Sequence, residues 1–244
     1  MNFLLILAIV LVHRNWFGGN LAYNVLPLDG WFATMLGIVT SSSLRFVFAV
    51  VVPTTFLCLV CWVIGDWLFG FLYLLLCIFV LLLSVDVLDL DGYRGEQNDA
   101  VTNQLPYLFF QSIFPSLFWF LVLGPIGVFF YFLSERYLGY CENGRIESFG
   151  VERILYWMEW IPIRLTGFIF ALLGEFRSGF SVWVDSFIDI EISNAEFLNS
   201  VARAAILLKE EDKEESEVPL LHWLLEKTVW GWVAFAAILT IWGW

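Results

Sequence analysis

Two apolar runs, Phe46–Ile64 and Leu68–Val85, stand back to back with only Gly65-Asp66-Trp67 between them. Joined as one helix they would extend about 60 Å at roughly 1.5 Å per residue, twice a bilayer core of about 30 Å, so the chain has to turn at Gly65. A transmembrane hairpin follows, with Trp62 and Trp67 at one interface, where an indole ring keeps one edge dry and one wet. The surroundings agree with a bilayer. The chain is 60% hydrophobic, 19% aromatic and 15% charged, with a mean hydropathy of +0.81, against roughly 45–50% apolar and about 25% charged in soluble domains. The implied fold class is all-α: an integral membrane helical bundle with kinked helices, one domain over residues 1–244.

Further segments follow from the same criterion. Residues 1–17 open with an apolar stretch, Met1–Val12, that is short for a span and lacks both a basic leader and a cleavage site, so it reads as a retained helix crossing at a thin point or lying at the interface. A third span is expected over 116–133, with an aromatic entry at Tyr107-Leu108-Phe109-Phe110 and a structural hinge at Gly124 and Pro125, matching the Gly65 turn of the hairpin. Residues 154–174 form another apolar stretch, kinked at Pro162, and 229–244 a short terminal one rich in tryptophan. Between them, 177–227 reads as a soluble excursion. It holds an amphipathic helix over 195–209, with Phe197, Leu198, Val201, Ala204, Ala205 and Leu208 at helical spacing, and the acidic run Glu210–Glu217 as a solvated linker. Lysine and arginine are more numerous on the side that carries this excursion, which places it in the cytoplasm.

The net charge of −12, from 24 acids and 12 bases, excludes nucleic acid as a partner and argues against electrostatic adhesion to anionic lipid. The bilayer itself is the expected partner, held by apolar burial. Asp89-Leu90-Asp91-Gly92 resembles a calcium loop, yet Val87 and Asn98 occupy positions where the cation needs carboxylates, so the segment reads as a solvated acidic loop. Cys58 and Cys61 lie within an apolar run without a second pair, and read as small hydrophobes. Neither His13 nor His222 has a nucleophile or acid at a catalytic spacing; both read as interfacial. No metal, cofactor or catalytic residue is expected.

One place breaks the apolar rule. In Tyr156-Trp157-Met158-Glu159-Trp160-Ile161-Pro162-Ile163-Arg164 two opposite charges enter a segment greasy enough for a bilayer, where each costs roughly 2.5–3.5 kcal/mol at a helix centre. Five residues apart on a straight helix, they point about 140° away from each other. Two readings stand. The pair is a structural feature of the fold, or Arg164 and Glu159, with Trp160, Pro162, Trp119 and Trp157, line a site for a small anionic ligand or a protein partner, since a guanidinium suits phosphate or carboxylate.

The block Pro115-Ser116-Leu117-Phe118-Trp119-Phe120-Leu121-Val122-Leu123-Gly124-Pro125-Ile126-Gly127, followed by Trp160–Gly167, Ala171–Phe176 and the ending Ala237–Gly243, resembles the AmpE family. The resemblance implies an inner-membrane sensor or signalling modulator linked to β-lactamase induction and cell-wall stress. The chain departs from it in the short acidic loop over 86–104 and in Glu159, where the family would have Asp. AmpE is in turn similar to the CobD/CbiB membrane enzymes, which couple an aminopropanol moiety to adenosylcobyric acid in cobalamin synthesis. That relation implies an enzyme as the alternative, and a carrier of a small anionic ligand is a third. Gly139-Tyr140, Phe149-Gly150 and Ile161–Leu165 keep the CobD/CbiB pattern, but Leu155 and Tyr156 stand at the acidic pair that would hold magnesium, which argues that the scaffold is retained without the chemistry.

Overall fold

The computed structural model describes residues 28–64, 70–85, 99–206 and 217–242. The expected first segment (1–17), the Gly65 turn, the acidic loop over 86–98 and the acidic linker over 207–216 lie outside the described residues. The described residues are helical without strands: α1 (Leu28–Ile38), α2 (Ser42–Ile64), α3 (Phe71–Ser84), α4 (Asp99–Leu123), α5 (Pro125–Gly144), α6 (Val151–Leu173), α7 (Phe176–Ser186), α8 (Asn194–Ala205) and α9 (Glu217–Ile241). Three of them are long and apolar enough to cross a bilayer: Ser42–Ile64, Gln104–Leu123 and Leu220–Ile241; Phe71–Ser84 is apolar but shorter. The chain packs as two compact units, the first within Met1–Asp86 and Pro115–Met158, the second within Val87–Phe114 and Glu159–Trp244.

The first unit gathers around aromatic side chains. Phe32 of α1 meets Tyr137 of α5 edge to face at 5.5 Å, and Phe46 of α2 lies 6.0 Å from the same ring. Val50, Leu83, Leu133 and Cys141 complete the core. Only 17% of the apolar window of α2 is buried, and Phe56, Leu59, Trp62 and Val63 point outward, as a lipid-facing helix requires.

Proline shapes α2. Pro53 has no N–H to give the carbonyl of Ala49, and the helix widens to a π turn over Val47–Val51 just before it. The freed Ala49 carbonyl accepts instead from Trp31 Nε1 of α1 at 3.3 Å. In a bilayer, where water cannot supply the missing donor, such replacement is what makes an internal proline tolerable.

The span expected over 116–133, with a hinge at Gly124 and Pro125, is two helices, α4 and α5. At Gly124, φ is 66° and ψ is −152°, a conformation that side chains exclude, and Pro125 then starts α5 at a position where its missing N–H costs nothing. A Cβ on Gly127 would stand 2.9 Å from the Trp119 carbonyl, so the turn is tight as well as sharp.

The expected excursion over 177–227 also takes a different shape. Residues 217–227 are the first turns of α9, because Leu221, His222, Leu224, Leu225 and Thr228 are buried and only the intervening face, with Glu226 and Lys227, is open. Ahead of them, α7 and α8 pack side by side against α6. Gly179 of α7 sits on Ala171, Gly174 admits the Ala205 carbonyl where no Cβ would fit, and Glu175 N donates to Ala205 O at 2.7 Å. Ser193 caps α8 by accepting from Glu196 N at 3.2 Å. The apolar stripe Phe197, Leu198, Val201, Ala204 and Ala205 then turns inward as its spacing dictates, while Leu208 lies outside the described residues.

Candidate functional site

Helix α6 carries Glu159, Pro162 and Arg164 without interruption, and both charges are 2% exposed. Burial of an ion is tolerable only when hydrogen bonds replace its water. Each charge finds them on a different helix, as their angular separation demands.

Glu159 turns to α4. Its Oε2 accepts from the Tyr107 hydroxyl at 2.8 Å and its Oε1 from Gln111 Nε2 at 3.2 Å; the same amide nitrogen also donates to Tyr107 Oη at 2.9 Å. Tyr107 and Gln111 are four residues apart on one face of α4, the spacing that lets two side chains serve one acceptor.

Arg164 turns to the α7–α8 connection. Its Nη1 donates to Asn194 Oδ1 at 3.2 Å, its Nη2 to the Asp189 carbonyl at 3.1 Å and its Nε to the Phe187 carbonyl at 3.4 Å. The guanidinium plane lies between two rings, 4.8 Å from the centroid of Trp160 and 4.2 Å from that of Phe197. A planar, weakly hydrated cation with divergent donors is suited to this slot, and an ammonium is not.

The backbone between the charges is anchored as firmly. Pro162 cannot serve the Met158 carbonyl, which accepts from Trp119 Nε1 at 3.2 Å, the arrangement already seen at Pro53. The Pro162 carbonyl accepts from Thr166 Oγ1 at 2.9 Å, and that hydroxyl accepts from Trp232 Nε1 at 3.1 Å. Trp183 Nε1 donates to the Arg164 carbonyl at 2.8 Å.

Of the residues singled out in the sequence, Glu159, Trp160, Pro162 and Arg164 share the second unit, with Trp160 stacked on Arg164. Trp119 and Trp157 belong to the first unit: Trp119 serves the Met158 carbonyl, and Trp157 is 53% exposed. Gly124 forms the break between α4 and α5, and Gly65 is not described. His222, read as interfacial, is 2% exposed within α9. The sequence reading missed Tyr107, Gln111, Asn194 and Phe197. Gln111, an amide alone in the run Tyr107–Phe120, was the available signal, because a lone amide in grease needs a polar partner.

A family model described as regulatory signalling modulator protein AmpE matches residues 85–244. The curated protein AmpE of Shigella flexneri is 27% identical over 150 residues, covering 58% of this chain and 52% of that protein. The cobalamin biosynthesis protein CobD of Stutzerimonas stutzeri (strain A1501) is 39% identical over 77 residues, 30% of this chain and 25% of that protein. The chain thus spans about half of the first relative and a quarter of the second. No solved structure matches at a comparable significance. The matched segment contains α4 to α9, with both buried charges and the Tyr107, Gln111, Asn194, Phe187 and Asp189 groups described above, and the chain belongs to the AmpE family.

Proposed function

We propose that the chain is an inner-membrane signalling modulator that adjusts β-lactamase induction during cell-wall stress, through a small anionic ligand or a protein partner received by the second unit. What supports this reading is the Arg164 slot inside the family-matched segment. The guanidinium donors are held by carbonyls of the α7–α8 connection, and an anion reaching them competes with Phe187 and Asp189 for the same N–H groups. Occupancy of the slot and retention of the connection then exclude each other. Glu159 and Trp160 on the same helix fix the orientation of α6 while this happens.

The test is made in a bacterium with inducible β-lactamase whose own AmpE-family gene has been deleted. Expression of the chain is expected to shift induction by a cell-wall antibiotic. Identical induction with and without the chain, at confirmed membrane levels, refutes the proposal. The similarity to CobD supports a second reading, a cobalamin-pathway enzyme, which predicts conversion of adenosylcobyric acid by the purified protein with ATP and magnesium. Leu155 and Tyr156 at the acidic pair of the CobD/CbiB pattern weigh against it, and absence of turnover removes it.

A further inference from the structure

Two of the helices long and apolar enough to cross a bilayer touch near their middles, through residues that both belong to the second unit. Phe114 lies at the centre of Gln104–Leu123 and stacks at 5.4 Å on Trp232, one residue past the centre of Leu220–Ile241. Gly231, at that same centre, sits directly against Ile169 of α6. If both helices cross, this level is close to the bilayer midplane, with about 15 Å of hydrocarbon on either side.

Helix α7 lies at the same level. The position of a Cβ on Gly179 is 3.1 Å from Ala171 Cα, and that of a Cβ on Gly167 is 3.2 Å from Trp183. Trp183 also bonds the Arg164 carbonyl. All of these α6 residues are within five of Ile169, at most about 7.5 Å along the helix in either direction. Helix α8 returns beside them, with Phe197 against Gly167 and Ala205 against Gly174.

We propose that α7–α8 is a re-entrant hairpin held at bilayer depth, and not a soluble excursion, with lipid on one flank and a water-filled crevice on the other. The apolar flank is Phe176 and Val184 of α7, each about half exposed. The charged flank includes Asp185 on α7 and Glu196 and Arg203 on α8, also exposed. Along α7 an open groove of about 390 Å³ is lined by the apolar stripe Phe176, Phe180 and Val184 and the adjacent polar stripe Arg177, Ser181 and Asp185. Exposed charge and non-helical backbone persist at this depth only where water or protein meets them, and the 187–193 connection is non-helical. The apolar flank continues the outward Leu172 of α6, so its occupant is the acyl-chain region that already surrounds the unit. This inference depends on the membrane spans and not on the signalling reading.

Site-directed spin labelling in bilayers tests it, with Cys58, Cys61, Cys77 and Cys141 replaced by serine. Labels at Val184→Cys and Phe176→Cys should collide with oxygen and lose collision with a water-soluble nickel chelate. Labels at Asp185→Cys and Glu196→Cys should retain the chelate. The depth read at Val184→Cys should match that at Trp230→Cys on α9. Chelate access equal at all four sites would return the hairpin to water, and loss at all four would remove the crevice; either overturns the proposal. Should the replaced-cysteine protein fail to fold, wild-type protein labelled from within the bilayer by a lipid-soluble carbene should carry the adduct within 176–190. An unlabelled 176–190 segment beside a labelled α9 would also overturn it.

Discussion

Pro162 and Trp119 form a pair whose coupling is measurable. The proline withholds the N–H that would serve the Met158 carbonyl, and the Trp119 indole supplies one at 3.2 Å. Trp119→Phe removes that donor and some ring volume. An orphaned carbonyl costs about 1–3 kcal/mol in soluble cores, and interhelical hydrogen bonds in bilayers average about 0.6 and reach about 1.7 kcal/mol. The loss from the hydrogen bond is therefore set at about 1 kcal/mol, roughly fivefold in the folding equilibrium. Pro162→Ala restores a backbone N–H to the carbonyl, so in that background Trp119→Phe should cost only the packing. The cycle cancels the packing and leaves the hydrogen bond as the coupling energy. Reversible unfolding in mixed dodecylmaltoside and SDS micelles, followed by tryptophan fluorescence, reads all four proteins. Equal costs of Trp119→Phe in the two backgrounds would refute the assignment of the indole to the proline.

Arg164→Lys should destabilise the protein by about 3–5 kcal/mol in the same assay, because an ammonium cannot reach Asn194, Asp189 and Phe187 together while lying between two rings; wild-type stability would contradict the slot. Gly174→Ala should cost about 1–3 kcal/mol, since the new methyl meets the Ala205 backbone, whereas Gly139→Ala, with open space around it, should be neutral or gain up to about 1 kcal/mol. Equal effects of the two alanines would mean that α8 does not close on α6 as described.

The helical membrane class is legible because it rests on local quantities, the lengths of apolar runs and the scarcity of charge. The family is legible because its blocks are contiguous. Partners are another matter. That Pro162 frees the Met158 carbonyl follows from the sequence, but that its donor is an indole 39 residues upstream does not. Glu159 and Arg164 announce themselves by cost alone; the phenol, the amide and the loop carbonyls that satisfy them lie 23 to 52 residues away. The start of α9 was misplaced for a related reason. Glu226 and Lys227 read as the end of a polar stretch, yet they sit on the open side of a helix whose other side is buried. A windowed reading averages the two sides, and only packing separates them.

On the proposed function, the polar core on α6 serves regulation and does more than hold the fold. Glu159→Gln tests it most directly, since the amide keeps the shape and removes the negative charge that Tyr107 and Gln111 hold. β-Lactamase induction is measured in the deleted host carrying either form at matched membrane levels. The proposed function requires an altered induction curve for the glutamine variant at those matched levels. An unaltered curve at equal protein level would contradict it.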